Sequence, residues 1–150
     1  MDRNYLIEKA AEAAKIAYSP YSKYQVGAAL LTKTGEIFTG CNVENASYGA
    51  TNCAERTAFF KAVSEGFQEF EAIAIVGGPS RIICKETVEM GENPIEFSDY
   101  AYPCGVCRQV MQEFCERDFR IIVAKSVEDY NEYTLGELLP FGFGGKESLV

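Results

Sequence analysis

The feature that most constrains the fold is a short, unbroken apolar run at residues 72–76, followed by a second buried-strand pattern at residues 119–124. A run without polar alternation is typical of a strand that is covered on both faces of its sheet. Residues 104–116 lie between the two runs and have helical spacing of apolar side chains. A strand–helix–strand unit of this kind favours a parallel pair with a right-handed crossover. The pattern therefore predicts an α/β fold.

The first half of the chain adds two helices and a hairpin. Residues 2–18 have helical spacing with Asp2 as a candidate N-cap, and residues 52–65 form a second helical pattern that ends at a glycine. Residues 24–30 alternate like a strand, and residues 36–41 return as its hairpin partner. These elements predict a mixed sheet with helices on its faces.

The remaining segments connect these elements. Residues 77–103 have little periodicity and are interpreted as a long loop, a feature that is often functional. Thr134 and Glu137 fit a capping box that opens a short helix before Pro140, and a glycine-rich tail at residues 141–145 is predicted to be flexible. No repeat or boundary interrupts the pattern, so residues 1–150 are expected to form a single domain.

Composition excludes several classes of protein. The chain contains no histidine, which rules out Ser-His-Asp and Cys-His nucleophile systems and imidazole metal ligands. The proton carrier of an enzyme of this composition would be a carboxylate. The net charge of −8 argues against nucleic acid as a partner, because phosphate backbones are bound by Lys and Arg.

The same composition gives an expectation about location. No apolar run approaches the roughly 20 residues that span a bilayer, so no membrane association is expected. The N-terminus is too polar and acidic for a signal peptide. We expect a cytoplasmic protein, whose cysteines are reduced thiols or metal ligands.

The six cysteines provide the clearest chemical signal. Cys104 and Cys107 form a C-x-x-C pair at the start of a predicted helix, where both sulfurs reach the same side and the helix N-terminus favours thiolate. Cys53 opens another helix in the same way. Three thiolates would leave the fourth position of a tetrahedral zinc ion open, as in catalytic sites. The other three cysteines are Cys41, Cys84 and Cys115.

Each of these residues also has a simpler interpretation. The C-x-x-C pair is compatible with a redox pair or with half of a structural zinc site, and Cys53 with a small buried hydrophobe. Residues 52–55 fit a capping-box-like start in which Glu55 bonds back to the cap. Cys41 and Cys115 are expected in the core, which leaves Cys84 as the one spare thiol.

Taken together, the motifs are specific. Cys53 and Glu55, followed by Pro103, Cys104 and Cys107, form the C-x-E…P-C-x-x-C pattern of zinc deaminases. The chain resembles the small homotetrameric, zinc-dependent cytidine deaminases from about residue 18 to residue 145, apart from the long loop. The stretches that carry the resemblance are residues 21–30, 40–49, 53–58, 103–109 and 137–140.

The resemblance implies a fold and a reaction. It implies α/β/α layers, with a mixed five-stranded sheet and helices on both faces. It further implies hydrolytic deamination of cytidine and deoxycytidine to uridine, deoxyuridine and ammonia in pyrimidine salvage. One Zn²⁺ per subunit would be held by Cys53, Cys104 and Cys107 with water as the fourth ligand. Glu55 would carry the proton, and Arg56 would donate to the ligand sulfurs.

The resemblance also implies the substrate contacts and the assembly. Active sites would be shared within a homotetramer, so that some contacts come from a neighbouring subunit. The positions that match ribose, base or covering residues are Asn42, Glu44, Tyr24, Ala54, Ala46, Tyr48 and Phe143, with Phe141 as a weaker match for the last. The chain departs from the family in having Tyr24 where Phe is frequent, Gly145 where Pro is usual, and a longer segment at residues 79–102.

Other functions are compatible with parts of this pattern. A blasticidin-type deaminase would keep the zinc motif but replace the ribose-binding residues, and residues 42–45 favour cytidine. A non-catalytic zinc module would need a fourth thiolate, for which Cys84 is the candidate. A redox protein would use Cys104 and Cys107 alone. Deoxycytidylate and nucleic-acid deaminases typically place His where Cys53 stands and need basic groups for phosphate.

Overall fold

The structure, a computed structural model, describes residues 1–80 and 96–149. No helix in these two ranges is long and apolar enough to cross a membrane. The helices and strands are α1 (Arg3–Ala14), β1 (Tyr24–Thr32), β2 (Ile37–Cys41), α2 (Ala54–Ser64), β3 (Phe70–Pro79), α3 (Gly105–Phe114), β4 (Arg120–Ala124), β5 (Tyr130–Thr134) and α4 (Leu135–Leu138). Single 3₁₀ turns lie at Tyr48–Ala50 and Lys146–Ser148.

The strands form one mixed five-stranded sheet in the order β2-β1-β3-β4-β5. The central strand β3 pairs antiparallel with β1 and parallel with β4, while β2 and β5 form the antiparallel edges. The parallel pair predicted from the two buried strand patterns is therefore confirmed. The five strands implied by the family resemblance are also confirmed.

Helices cover both faces of this sheet. On one face, Ile73 and Ile75 of β3 belong to a core that includes buried residues of α2 and α3. On the other face, Ala72 and Ala74 pack in a second core with α1. Because successive side chains of a strand point to opposite faces, one apolar run supplies both cores. The layered α/β/α fold is confirmed.

Two glycines let helices lie directly on the sheet. A Cβ atom on Gly27 of β1 would lie 2.0 Å from the Ala10 carbonyl oxygen of α1. A Cβ atom on Gly40 of β2 would lie 2.4 Å from the Ala54 carbonyl oxygen and 2.5 Å from the Ala58 amide nitrogen, both in α2. Gly40 thus fixes the depth at which the first turn of α2 sits on the sheet.

The structure corrects several predicted boundaries. Strand β3 continues to Pro79, so residues 77–79 are strand and not loop. Helix α1 ends at Ala14, short of the predicted residue 18. Strand β5 has no counterpart among the elements derived from periodicity. The N-cap at Asp2, which accepts from the Tyr5 amide, and the capping box of α4 are as predicted.

Candidate active site

Three sulfur atoms converge where the N-termini of α2 and α3 meet. Cys53 is the N-cap of α2, Cys104 is the N-cap of α3, and Cys107 lies in the first turn of α3. The Cys104 sulfur lies 3.7 Å from that of Cys53 and 3.5 Å from that of Cys107, and all three lie within 4.8 Å of one another. The structure therefore brings together the three predicted metal ligands.

The local folding explains why these sulfurs remain available. Neither Cys53 nor Cys104 uses its side chain to cap its own helix. Both sulfurs therefore face each other in the positive field of two helix N-termini, which stabilises thiolates. Sulfurs around a tetrahedral zinc ion with bonds of about 2.3 Å stand about 3.8 Å apart. The sulfur–sulfur distances of 3.7 and 3.5 Å fit that geometry, so the cluster fits a zinc ion.

The pKa values of Cys53 and Cys107 are shifted in opposite directions. Hydrogen bonding with Cys107 lowers the pKa of Cys53 to about 5 despite partial burial, and Arg56 adds to the effect. The pKa of Cys107 is raised by the same interaction and by burial. Arg56 donates from Nη2 to the Cys53 sulfur at 3.3 Å. The Arg56 guanidinium thus lies directly beside the Cys53 sulfur.

The Nε donor of Arg56 bears on the charge of the cluster. This nitrogen is buried and finds no acceptor among the described residues. A buried donor without a partner is costly, whereas hydrogen bonds to anionic acceptors are strong. The side chain therefore suits a cluster that carries more than one negative charge, which is what three thiolates around a metal provide.

Glu55 lies in the first turn of α2, two residues after Cys53. It is buried, with an exposed fraction of 4%. Burial and the charge of Cys53 raise its pKa to about 7. The capping interpretation of Glu55 is not supported, because the amide of Asn52 donates to the Val43 carbonyl and its side chain donates to Thr57. A buried carboxyl group beside the sulfur cluster is available to hold or release a proton.

The residues matched to the ribose tie their loop to β1. Asn42 accepts from the Val26 amide and donates to the Tyr24 carbonyl, both at 2.8 Å. One oxygen of Glu44, Oε1, accepts from the amides of Tyr21 and Ser22 at 3.0 Å. Although burial opposes it, hydrogen bonds from the Ser22 side chain and from these two amides lower the pKa of Glu44. Both side chains are therefore held in place by the backbone around them.

The residues matched to the base lie on the same side of the sheet as α2. Ala54 is fully buried at the start of that helix, and Tyr24 is half-buried beside the core of this face. Burial and the nearby Asp99 carboxylate raise the pKa of Tyr24 to about 12. Asp99 lies within the predicted long loop, whose polar sequence gives no signal for this contact.

The residues matched to the neighbouring subunit behave differently, because they are exposed within one chain. Ala46 is exposed, and Tyr48 and Phe143 are 76% and 78% exposed. Phe141 is 99% exposed. The structure does not bring these side chains to the sulfur cluster of their own chain in any described contact.

Two further predictions concern the cysteines and the tail. Cys41 and Cys115 are partly buried free thiols, whereas Cys84 lies outside the described residues. The tail was predicted to be flexible. In the structure, side chains of α3 contact this tail, since Gln109 donates to the Phe143 carbonyl. That glutamine was missed, because nothing in its helical pattern marks it as a partner of the tail.

Comparisons with known proteins define the class. Residues 1–124 match the family model described as the cytidine and deoxycytidylate deaminase zinc-binding region. Together with the sulfur cluster, this match shows that the chain belongs to the zinc-binding cytidine and deoxycytidylate deaminase family. Membership favours the deaminase hypothesis over a redox pair or a non-catalytic zinc module.

Within this family, the chain is similar to proteins named as cytidine deaminases. The chain is 46% identical to the cytidine deaminase of Halalkalibacterium halodurans over 98% of both chains. It is 44% identical to the cytidine deaminase of Sporosarcina psychrophila, over 99% of this chain and 96% of the relative. The crystal structure of cytidine deaminase from Burkholderia pseudomallei superposes with a TM-score of 0.78 at 43% identity, covering 95% of this chain and 100% of that one.

Proposed function

We propose that this chain catalyses the hydrolytic deamination of cytidine and deoxycytidine to uridine and deoxyuridine, with release of ammonia, as a step of pyrimidine salvage. The observation that carries the proposal is the buried Glu55 carboxyl beside the three convergent sulfurs. The cytidine deaminases that align over nearly the whole chain support the choice of substrate.

The proposed metal site holds one Zn²⁺ per subunit through Cys53, Cys104 and Cys107. The measured sulfur separations support this ligand set. A fourth protein ligand is not part of the proposal, so one coordination position remains for the reaction. Bound zinc supplies a Lewis acid that makes water nucleophilic near neutral pH.

The proposed role of Glu55 is to move protons between water and substrate. It accepts a proton as the water oxygen attacks C4 of the pyrimidine, and donates a proton to ring N3. It then takes the proton of the hydroxyl group now on C4 and delivers it to the amine, so that the C4=O bond forms, the C4–N bond breaks and ammonia leaves. One carboxyl group suffices because it gains and loses protons alternately. Burial keeps the exchanged proton from bulk solvent.

The nucleoside would be bound by residues that the loop hydrogen bonds already hold in place. Asn42 and Glu44 would bind the ribose hydroxyls, Tyr24 would lie beside the base, and the main chain of Ala54 would face the pyrimidine edge. Two backbone amides bind Oε1 of Glu44, and the two oxygens of a carboxylate together accept about four hydrogen bonds, so the group can still accept from a hydroxyl. The Asn42 amide likewise has a second N–H beyond the one bound to Tyr24. These groups favour a ribose over blasticidin.

The proposed assembly is a cytoplasmic homotetramer of single-domain subunits with shared active sites. Large exposed apolar side chains support contact with another copy, among them Tyr48, Phe141 and Phe143. Closed symmetry lets every subunit donate and receive the same residue. Sedimentation across a dilution series, with activity measured at each point, should show that activity is lost as the oligomer dissociates. A fully active monomer would contradict the shared site.

The test of the proposed function is the loss of cytidine absorbance on conversion to uridine. Zinc-loaded protein should convert cytidine and deoxycytidine, and a chelator should abolish conversion until zinc is returned. Blasticidin S and deoxycytidylate serve as alternative substrates in the same assay. Faster conversion of blasticidin S or deoxycytidylate than of cytidine would contradict the proposal. So would a failure of zinc-loaded protein to convert cytidine.

A further inference from the structure

The C-terminal tail lies along helix α3 and is bound to it through backbone carbonyls. Gln109 donates from Nε2 to the Phe143 carbonyl at 3.1 Å, and Gln112 donates from Nε2 to the Gly144 carbonyl at 3.1 Å. The two glutamines are three residues apart and therefore share one side of the helix. They bind consecutive carbonyls of the tail, so the tail has a defined register on α3.

Glycines on either side of these bonds bring the tail close to the helix. A Cβ atom on Gly142 would lie 2.7 Å from Gln112 Oε1, and one on Gly145 would lie 2.6 Å from the Gln112 carbonyl oxygen. Gly145 also has a φ of 105°, which the ring of a proline does not permit. The path of the tail in this chain therefore requires the glycine that stands where proline is usual in the family.

The tail is held at both ends as well. Arg108 donates from Nη1 to the carbonyl of Leu138, the last residue of α4, at 2.7 Å, just before the tail. Lys146 donates to the Gln68 carbonyl, where it ends. The attachments thus cover the segment before, at and after Phe143.

Phe143 has a fixed backbone and an exposed side chain. Its carbonyl is bound by Gln109, yet its ring is 78% exposed. Phe141 is 99% exposed, with a positive φ of 59°. Since Phe143 gains little from packing within its own chain, the hydrogen bond to its carbonyl is the described contact that sets where its ring is presented.

We propose that Gln109 is a positioning residue for Phe143, with Gln112 supporting the same stretch of tail: together they hold the backbone so that the ring can cover the nucleoside site of a neighbouring subunit. The inference rests on the proposed function, because it requires that Phe143 contacts substrate in another copy. Gln109 itself contacts neither substrate nor metal in this scheme. Its effect passes through the tail alone.

The test replaces the donor without changing the length of the side chain. Gln109→Met removes the N–H, whereas Gln109→Lys keeps a donor at similar reach. We expect Gln109→Met to raise KM for cytidine about three- to tenfold, the effect of losing one neutral hydrogen bond, with kcat and zinc content unchanged. Gln109→Lys should restore most of the affinity. Thermal unfolding of both variants confirms that they are folded.

A double-mutant cycle separates positioning from a general structural effect. In a Phe143→Ala background, Gln109→Met should add nothing to KM, because the ring that it positions is gone. An equal increase in both backgrounds would overturn the proposal, as would an unchanged KM in the otherwise wild-type protein. Failure of the proposed function is a separate result: wild-type protein would then leave cytidine unconverted.

Discussion

The sulfur cluster and the aromatic residues expected to cover it differ in what holds them. The cluster lies at two helix N-termini that are packed on the sheet, and one chain contains all three of its sulfurs. Tyr48 and Phe143, by contrast, lie on a loop and a tail with their rings mostly in solvent. The difference teaches that the fold assembles the reactive groups within one subunit, whereas the proposed cover over the substrate would come from a second copy.

The largest effect on activity should come from a substitution in the sulfur cluster, which lies entirely within one chain. Cys53→Ala removes the sulfur that stands against both Cys104 and Arg56, so zinc and activity should be lost together. Loss of the Lewis acid should lower turnover by more than about a thousandfold. Zinc content by atomic absorption, measured beside cytidine turnover, is the check.

Cys41→Ala is the matched control for that experiment, because it removes a free thiol outside the cluster. It should keep both zinc and activity. Full zinc occupancy in Cys53→Ala would remove the assignment of the ligands.

Gly40→Ala tests whether the packing of α2 on the sheet sets the position of the sulfur cluster. In Gly40→Ala the new methyl group would meet the backbone of α2 at 2.4 Å, so the helix that carries Glu55 must shift. We expect the free energy of unfolding to fall by about 1–3 kcal/mol, with weaker zinc binding. Urea unfolding and zinc competition measure the two effects. Gly49→Ala, which meets nothing within 4 Å, is the control, and equal stability of both variants would contradict the close approach.

A third substitution tests the exposed aromatic residues that are expected to cover the substrate. Phe143→Ala should leave zinc bound but raise KM for cytidine, because the base loses a covering aromatic side chain. The increase should correspond to about 1–3 kcal/mol of lost binding free energy. Phe141→Ala serves as the matched tail variant and should have a smaller effect. Steady-state kinetics and zinc analysis of both variants provide the measurement. The reverse order of effects would assign the covering role to Phe141.

The same division explains how much the sequence could predict. Residues 72–76 and 119–124 reveal two central strands, because burial on both faces leaves a continuous apolar run. Strand β5, Tyr130–Thr134, is an edge strand with an exposed, mostly polar sequence, so it has no such pattern. Its place in the sheet comes from pairing with β4, which only the folded chain shows.

The candidate site divides in the same way. Cys53, Cys104 and Cys107 could be predicted because their spacing at helix starts has a direct geometric meaning, which the sulfur distances match. Asp99 and Gln109 could not, since each acts on a residue far away in sequence. No local rule links Gln109 to the Phe143 carbonyl that accepts its hydrogen bond.

The most direct test of the proposed chemistry is turnover by Glu55→Gln, measured together with its zinc content. The amide has nearly the shape of the buried carboxyl group but cannot carry a proton between water and substrate. We expect zinc to remain bound and the fold to be kept, while turnover of cytidine falls by about a hundredfold or more. Retention of about a tenth or more of wild-type turnover, with zinc in place, would contradict the role of Glu55 as the proton carrier.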